Sequence, residues 1–86
     1  MVQVWVVNFF LNDKYAYTSS FQYTCVFETK EAILEYLEMF DFEMSQVRFE
    51  AAIGYESLGE CYVRYYPHKD NRSFRGELQW IYQKRT

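Results

Sequence analysis

Two groups of side chains in this chain have the residue types and the spacing for binding chemistry. The first is a run of glutamates three or four residues apart, which are neighbours on one side of a helix. It comprises Glu28, Glu31, Glu35 and Glu38, and we call it the acidic stripe. With a rise of about 1.5 Å per residue, the stripe would be roughly 15 Å long. It could dock on a basic protein surface or imitate a run of phosphates, and the alternative is an ordinary solvated helix face. Four carboxylates are a sparse imitation of DNA, which carries a charge about every 3.4 Å on each strand.

The second group alternates aromatic and basic side chains towards the C-terminus. It comprises Tyr62, Arg64, Tyr66, Lys69, Arg72 and Arg75. Rings that stack on bases, beside cations that contact phosphates, are how sheet surfaces bind single-stranded nucleic acid. The chain does not match the RNA-recognition-motif pattern, and its net charge of −3 opposes approach to a polyanion. The alternative is cross-strand packing, in which Arg64 lies over tyrosine rings or pairs with Glu50 or Glu60.

Catalytic chemistry has little basis in these residues. His68 is the only histidine, and the nucleophile-elbow, phosphate-loop and dinucleotide motifs are absent from the sequence. Cys25 and Cys61 fall inside predicted strands without a base close by in sequence, and two cysteines with one histidine are too few for an ordinary structural zinc site. We therefore expect no enzymatic activity, no cofactor and no metal. Both cysteines are predicted to be buried thiols, with a disulfide between them as the alternative.

Acidic and basic residues are concentrated in different segments of the chain, which predicts a molecule with an electric dipole. Residues 28–60 carry nine acidic and two basic side chains, whereas residues 61–86 carry two acidic and six basic ones. One acidic and one basic surface would orient a charged partner. The 86 residues indicate a single domain, 1–86, without linkers. The apolar N-terminus has no basic leader and no small-residue cleavage site, so we expect a cytoplasmic protein without a targeting segment or membrane contact.

The elements that would position these groups follow from hydrophobic periodicity. Residues 2–11 are apolar on both faces of a predicted strand, which favours a central position. Residues 15–27 predict a second strand with Phe21 and Tyr23 on one face, together with Tyr15, Tyr17, Cys25 and Phe27. Further strands are predicted over 47–55, 61–66 and 74–82, with a helix over 43–52 as the alternative for the first of these.

A helix is predicted from Thr29, its N-cap, to about Met44. Its apolar face comprises Ile33, Tyr36, Leu37, Phe40 and Met44, and the acidic stripe lies on the opposite side. Phe42 falls on the acidic side if the helix continues that far. In that case Phe42 is an exposed apolar contact beside the stripe. The alternative is that the helix ends before Phe42. The predicted fold is α+β, in the order ββαβββ: a mostly antiparallel sheet of about five strands with one amphipathic helix packed on one face.

The predicted sheet is too wide for one helix to cover. Five strands span about 20–25 Å, and a helix is about 10–12 Å across. Part of the sheet must then be bare, curved, closed on itself or covered by another protein, and 22% aromatic residues favour a binding surface. We expect a non-enzymatic protein-binding module, such as a small inhibitor or accessory protein of the phage or mobile-element anti-defence type by base-rate analogy. A protein partner would dock on the acidic stripe with Phe42, or on the second group. The alternatives are a single-stranded nucleic-acid binder and a homo-oligomeric structural subunit, for example a homodimer.

Overall fold

The structure, a computed structural model, describes residues 2–12, 18–50, 62–65 and 71–81, with the backbone alone for 62–65 and 81. In chain order these residues form β1 (Val2–Asn12), β2 (Ser19–Phe27), α1 (Lys30–Met39), a 3-10 turn (Met44–Gln46), β3 (Arg48–Glu50), β4 (Tyr62–Tyr65) and β5 (Arg72–Ile81). The strands pair antiparallel in the order β2-β1-β5-β4-β3. The predicted α+β class, with one helix and an antiparallel sheet, is confirmed for the described residues.

The core lies between α1 and the middle of the sheet. β1 pairs with β2 along one edge and with β5 along the other. Trp5, Val7 and Phe9 alternate along β1 and form one buried cluster with Ile33 and Leu37 of the helix. Ile33, Leu37 and Val7 are completely buried. Because alternate residues of a strand share a face, this cluster defines the helix-covered face of the sheet.

A β-bulge in β2 overturns the predicted single aromatic face of that strand. Phe9 pairs with Tyr23, but the next residue, Phe10, pairs with Phe21, so Gln22 is an extra residue in β2. Opposed residues of paired strands share a face, and one extra residue reverses the alternation. Phe21 therefore lies on the helix-free face, where its ring is 6.1 Å from that of Phe10. Tyr23 stays on the helix-covered face, and its ring stacks on Phe9 at 4.8 Å.

The sheet curves around the helix. The rings of Trp5 in β1 and Phe49 in β3 are 5.6 Å apart, although β5 and β4 lie between their strands. Three strand spacings would separate the two strands by about 14 Å in a flat sheet. The Lys30 ammonium, at the start of α1, lies 4.6 Å from the Phe49 ring centroid. The sequence left open whether the sheet is bare, curved, closed on itself or covered, and the structure shows that it is curved. On the helix-free face, Phe21 and Val26 are about 60% exposed.

The helix ends at Met39, five residues before its predicted end, because the chain turns there. Asp41 adopts φ of 60°, and its N–H donates to the Glu38 carbonyl at 3.1 Å. The Phe42 N–H donates to the Leu37 carbonyl at 3.0 Å, which completes a Schellman motif. The left-handed residue reverses the chain and directs Phe42 into the core. Phe42 is 8% exposed and Phe40 is 46% exposed. The alternative in which the helix ends before Phe42 is therefore the one present, whereas the placement of Phe40 on the apolar face and of Phe42 beside the acidic stripe is wrong.

The region after this turn supports the predicted strand in part, and residues 43–50 do not form the alternative helix. A single 3-10 turn covers Met44–Gln46, and the three-residue strand β3 follows it at Arg48–Glu50. The remainder of the predicted strand, residues 51–55, lies outside the described residues, as does Cys61. Cys25 is a partly buried free thiol.

Candidate functional site

The acidic stripe lies on the outer side of α1. All four of its glutamates are exposed, while Ile33 and Leu37 on the opposite side of the helix are completely buried. The helix begins where the sequence predicts, because the Thr29 hydroxyl oxygen accepts a hydrogen bond of 3.1 Å from the Ala32 N–H. Because Ile33 and Leu37 pack in the core cluster against β1, the stripe lies on the side of the helix that faces away from the sheet.

Two exposed apolar side chains stand at the C-terminal end of the stripe. Met39 is 69% exposed and is the last residue of α1, and Phe40 is the cap residue that follows. The Phe40 ring is 4.6 Å from the Tyr36 ring, which in turn contacts Phe27 and Phe9 at 5.5 and 5.3 Å. The exposed face of Phe40 is therefore supported from beneath by an aromatic column that connects it to the core.

An apolar pocket opens beside Phe40, where the helix end meets β1 and β2. Its volume is about 190 Å³, and its walls include Phe9, Leu11, Tyr23, Phe40 and Phe42. The pocket exists because the Schellman turn folds Phe42 inward and leaves Phe40 at the rim. Its size is below that of an ordinary small-molecule site, which is about 300–1,000 Å³. One apolar side chain from a partner would fit it better than a cofactor.

Arg72, on β5, holds the helix end beside this pocket. Its guanidinium donates to the carbonyl oxygens of Phe40 and Asp41 at 2.5 and 3.1 Å. The same group lies 4.2 Å from the Phe42 ring centroid. A cation at a helix C-terminus satisfies carbonyls that have no partner within the helix. Arg72 therefore has a structural role on the helix-covered face.

Two tyrosines form the polar wall of the site. The hydroxyls of Tyr23 and Tyr36 are 2.5 Å apart and share a hydrogen bond. Burial raises the pKa of Tyr36 well above its ordinary value, and the hydrogen bond with Tyr23 raises it further. Both causes favour the neutral phenol. Tyr36 consequently remains a neutral hydrogen-bonding group through the physiological range.

The second predicted group does not form one surface in the part that the structure describes. Arg72 and Arg75 are three residues apart on one strand, and such residues lie on opposite faces. Arg75 lines a shallow cavity of about 320 Å³ on the helix-free face, beside Val6, Asn8 and Glu77. Tyr62 and Arg64 belong to β4, where their backbones pair with Glu77 and Arg75. Tyr66 and Lys69 lie outside the described residues.

Helical periodicity did not identify Met39 and Phe40 as surface residues, and it grouped Phe42 with the acidic stripe. The structure removes Phe42 from that surface because it is buried against Phe9 and Phe74. The residue that could have indicated the helix end is Asp41, because aspartate is one of the few residue types besides glycine and asparagine that enter the left-handed region. An aspartate followed by an apolar residue near a helix end is compatible with a Schellman turn.

Comparison with family models, curated proteins and solved structures gave no match for this chain. Within the described ranges, no cluster of three or more His, Cys, Asp or Glu side chains could hold a metal ion. The helix seen in those ranges is too short to cross a bilayer.

Proposed function

We propose that this protein is a non-enzymatic protein-binding domain that docks on a larger partner through the C-terminal end of α1. One observation carries the proposal: Met39 and Phe40 expose apolar surface at the rim of an apolar pocket, next to the acidic stripe. We call Met39, Phe40, the pocket and the acidic stripe together the docking surface.

The composition of the docking surface resembles that of protein interfaces. Interface centres are enriched in aromatic residues and methionine, and their rims are polar. Residues that dominate binding energy are usually large side chains that fill pockets. Phe40 is already packed on Tyr36 at 4.6 Å, so little side-chain freedom remains to be lost on binding. The surface is therefore suited to an apolar contact with a preformed shape.

The acidic stripe adds a preference for a basic partner. Exposed charges affect the rate of association more than the lifetime of a complex. The stripe would attract a basic surface and orient it, and the apolar end would then determine the rate of dissociation. A domain of this size that covers the working surface of a larger protein would act as an inhibitor or accessory protein. The phage and mobile-element anti-defence class, acting in a cytoplasm, is our proposal for its setting, by base-rate analogy alone.

The proposal is tested by affinity capture with matched variants. Tagged wild-type protein is compared with Phe40→Ser, with the double variant Glu31→Lys, Glu35→Lys, and with Glu77→Lys as the control. Glu77 is an exposed acid on the helix-free face. Lysate of the source cells is passed over each, and the retained proteins are quantified by mass spectrometry.

We expect at least one protein to be retained by wild type and Glu77→Lys but to fall about tenfold or more with both docking-surface variants, which corresponds to about 1.4 kcal/mol. With the purified partner, the charge double variant should slow association and Phe40→Ser should accelerate dissociation. Equal retention by all four proteins would contradict the proposal, provided that circular dichroism shows every variant to be folded.

A further inference from the structure

Strand β2 is an edge strand that lacks most of the features that keep sheet edges apart. It is the last strand on its side of the described sheet, and it has nine residues. Its sequence, Ser19 to Phe27, contains neither a charged residue nor a proline. Most of the strand is exposed, including Tyr23 and Val26. Edge strands usually avoid pairing with other chains by being short, by carrying lysine or proline, or by a bulge.

The opposite edge of the sheet does have such features. There β3 covers three of the described residues, and two of them, Arg48 and Glu50, are charged. In β2, the part of the chain that the structure describes shows one such feature, the bulge at Gln22. The bulge leaves Tyr23–Phe27 as five consecutive residues in regular register with β1. This regular stretch is the part of the edge that can add another strand.

The regular stretch is symmetric in chemical type about its middle residue. Its sequence is Tyr23, Thr24, Cys25, Val26, Phe27. The ends are both aromatic, the next positions are both β-branched and nearly equal in shape, and the centre is a cysteine. When such a strand pairs antiparallel with a copy of itself in the register centred on Cys25, each aromatic residue faces an aromatic one, and each β-branched residue faces a β-branched one of similar shape. Aromatic pairs and β-branched pairs in opposed positions stabilise antiparallel sheets.

We propose that two copies of this protein pair antiparallel along β2, with the two-fold axis passing at Cys25. Tyr23 then lies opposite Phe27 of the second copy, and Thr24 lies opposite Val26 of the second copy. The two sheets become one continuous sheet, and both helices lie on the same side of it. The faces match, because opposed residues in this register belong to the same face of each sheet.

The absence of charged residues in β2 favours a second copy of the protein as its pairing partner over an unrelated extended segment. A neutral strand meets its own copy without opposing like charges, and this register also pairs residues of the same type. The contact is small, because five residues span about 17 Å and a stable interface usually buries about 1,200 Å² or more. The dimer is therefore expected to be reversible. Each copy carries a net charge of −3, so added salt should tighten the dimer by screening the repulsion between copies.

A charge exchange across the proposed pair tests the register. Thr24 and Val26 are exposed, so neither substitution removes a core contact. Val26→Lys alone and Thr24→Glu alone should each weaken self-association about tenfold or more. The double variant should restore it, because each introduced ammonium then faces an introduced carboxylate of the second copy. Val2→Lys, an exposed position on β1, is the control and should associate like wild type.

The measurement is sedimentation velocity over a hundredfold range of concentration, at low and high salt. A wild-type protein that remains monomeric throughout overturns the proposal. So does a dimer that neither single variant weakens, or a double variant that fails to recover. Circular dichroism of each variant separates a loss of pairing from a loss of folding.

Cross-linking through Cys25 gives an independent readout. Opposed Cα atoms in an antiparallel pair are about 4.5–5.5 Å apart, which lies within the range that a disulfide spans. In a Cys61→Ser background, diamide should take two electrons and two protons from the two Cys25 thiols and leave one disulfide between the copies. We expect a covalent dimer that Val26→Lys suppresses. The same yield of covalent dimer with Val26→Lys would contradict pairing along β2.

Discussion

Phe40 and Phe42 provide a sharp test of how α1 ends, because they are two residues apart and have opposite environments. Phe42 is 8% exposed, and its ring lies 5.6 Å from that of Phe74 and 6.2 Å from that of Phe9. Removal of a buried phenylalanine side chain costs about 3–5 kcal/mol, and Phe42→Ala also removes the cation–π contact with Arg72. Phe40 is about half exposed and touches mainly Tyr36, so Phe40→Ala should cost about 1 kcal/mol.

The assay is equilibrium unfolding in urea, followed by far-ultraviolet circular dichroism. A domain of this size has a urea dependence of about 1 kcal/mol/M, so the midpoints of the two variants should differ by about 2 M or more. Phe42→Leu keeps an apolar side chain of similar size and serves as the control, with an expected cost of about 1.5 kcal/mol or less. Equal costs for the two alanine variants, or a larger cost for Phe40→Ala, would refute the Schellman turn and the inward position of Phe42.

Three further predictions concern the two ends of the helix and the hydroxyl of Tyr36. Asp41→Gly should stabilise the fold by up to about 1 kcal/mol in the same urea assay, because glycine adopts the positive φ without strain; a destabilised variant would argue against that backbone conformation. Thr29→Ala should cost about 1 kcal/mol by removing the cap of the Ala32 N–H, and an unchanged midpoint would exclude this cap. Burial raises the pKa of Tyr36 above the unfolded value of 10.0, so the unfolded chain ionises first and stability should fall as pH rises above about 10. Urea midpoints at about pH 8.5 and about pH 11 should show a smaller fall for Tyr36→Phe than for wild type, and an equal fall would contradict the assignment.

The features that sequence predicted well are local ones. The start of α1 depends on Thr29 and its own first turn, and a side-chain cap of this kind can be read from neighbouring residues. The exposed acidic stripe follows from helical periodicity alone, because Ile33 and Leu37 fix the opposite side in the core.

The features that sequence did not predict depend on the backbone or on tertiary contacts. The helical pattern of apolar residues continues past Met39, so the helix was predicted to continue through residues where the chain in fact turns at Asp41. One extra residue at Gln22 reversed the face of Phe21, and alternation cannot reveal a bulge in advance. The curvature that brings Phe49 onto Trp5 arises from packing among several strands.

The second predicted group shows a related error. Sequence proximity placed Arg72 and Arg75 in one basic surface, although three residues along a strand separate them onto opposite faces. The contact of Arg72 with the helix end is made to carbonyl oxygens of Phe40 and Asp41, which no side-chain pattern reveals. Candidate surfaces on strands therefore need the register as well as the composition.

The most direct test of the docking surface is photo-crosslinking from the position of Phe40 in living cells. p-Benzoylphenylalanine is incorporated in place of Phe40, and in a separate protein in place of Gln79, an exposed residue on the helix-free face. We predict a protein adduct from position 40 that is lost when Glu31→Lys and Glu35→Lys are added, and little adduct from position 79. No adduct from position 40, or equal adducts from both positions, would contradict the proposed function.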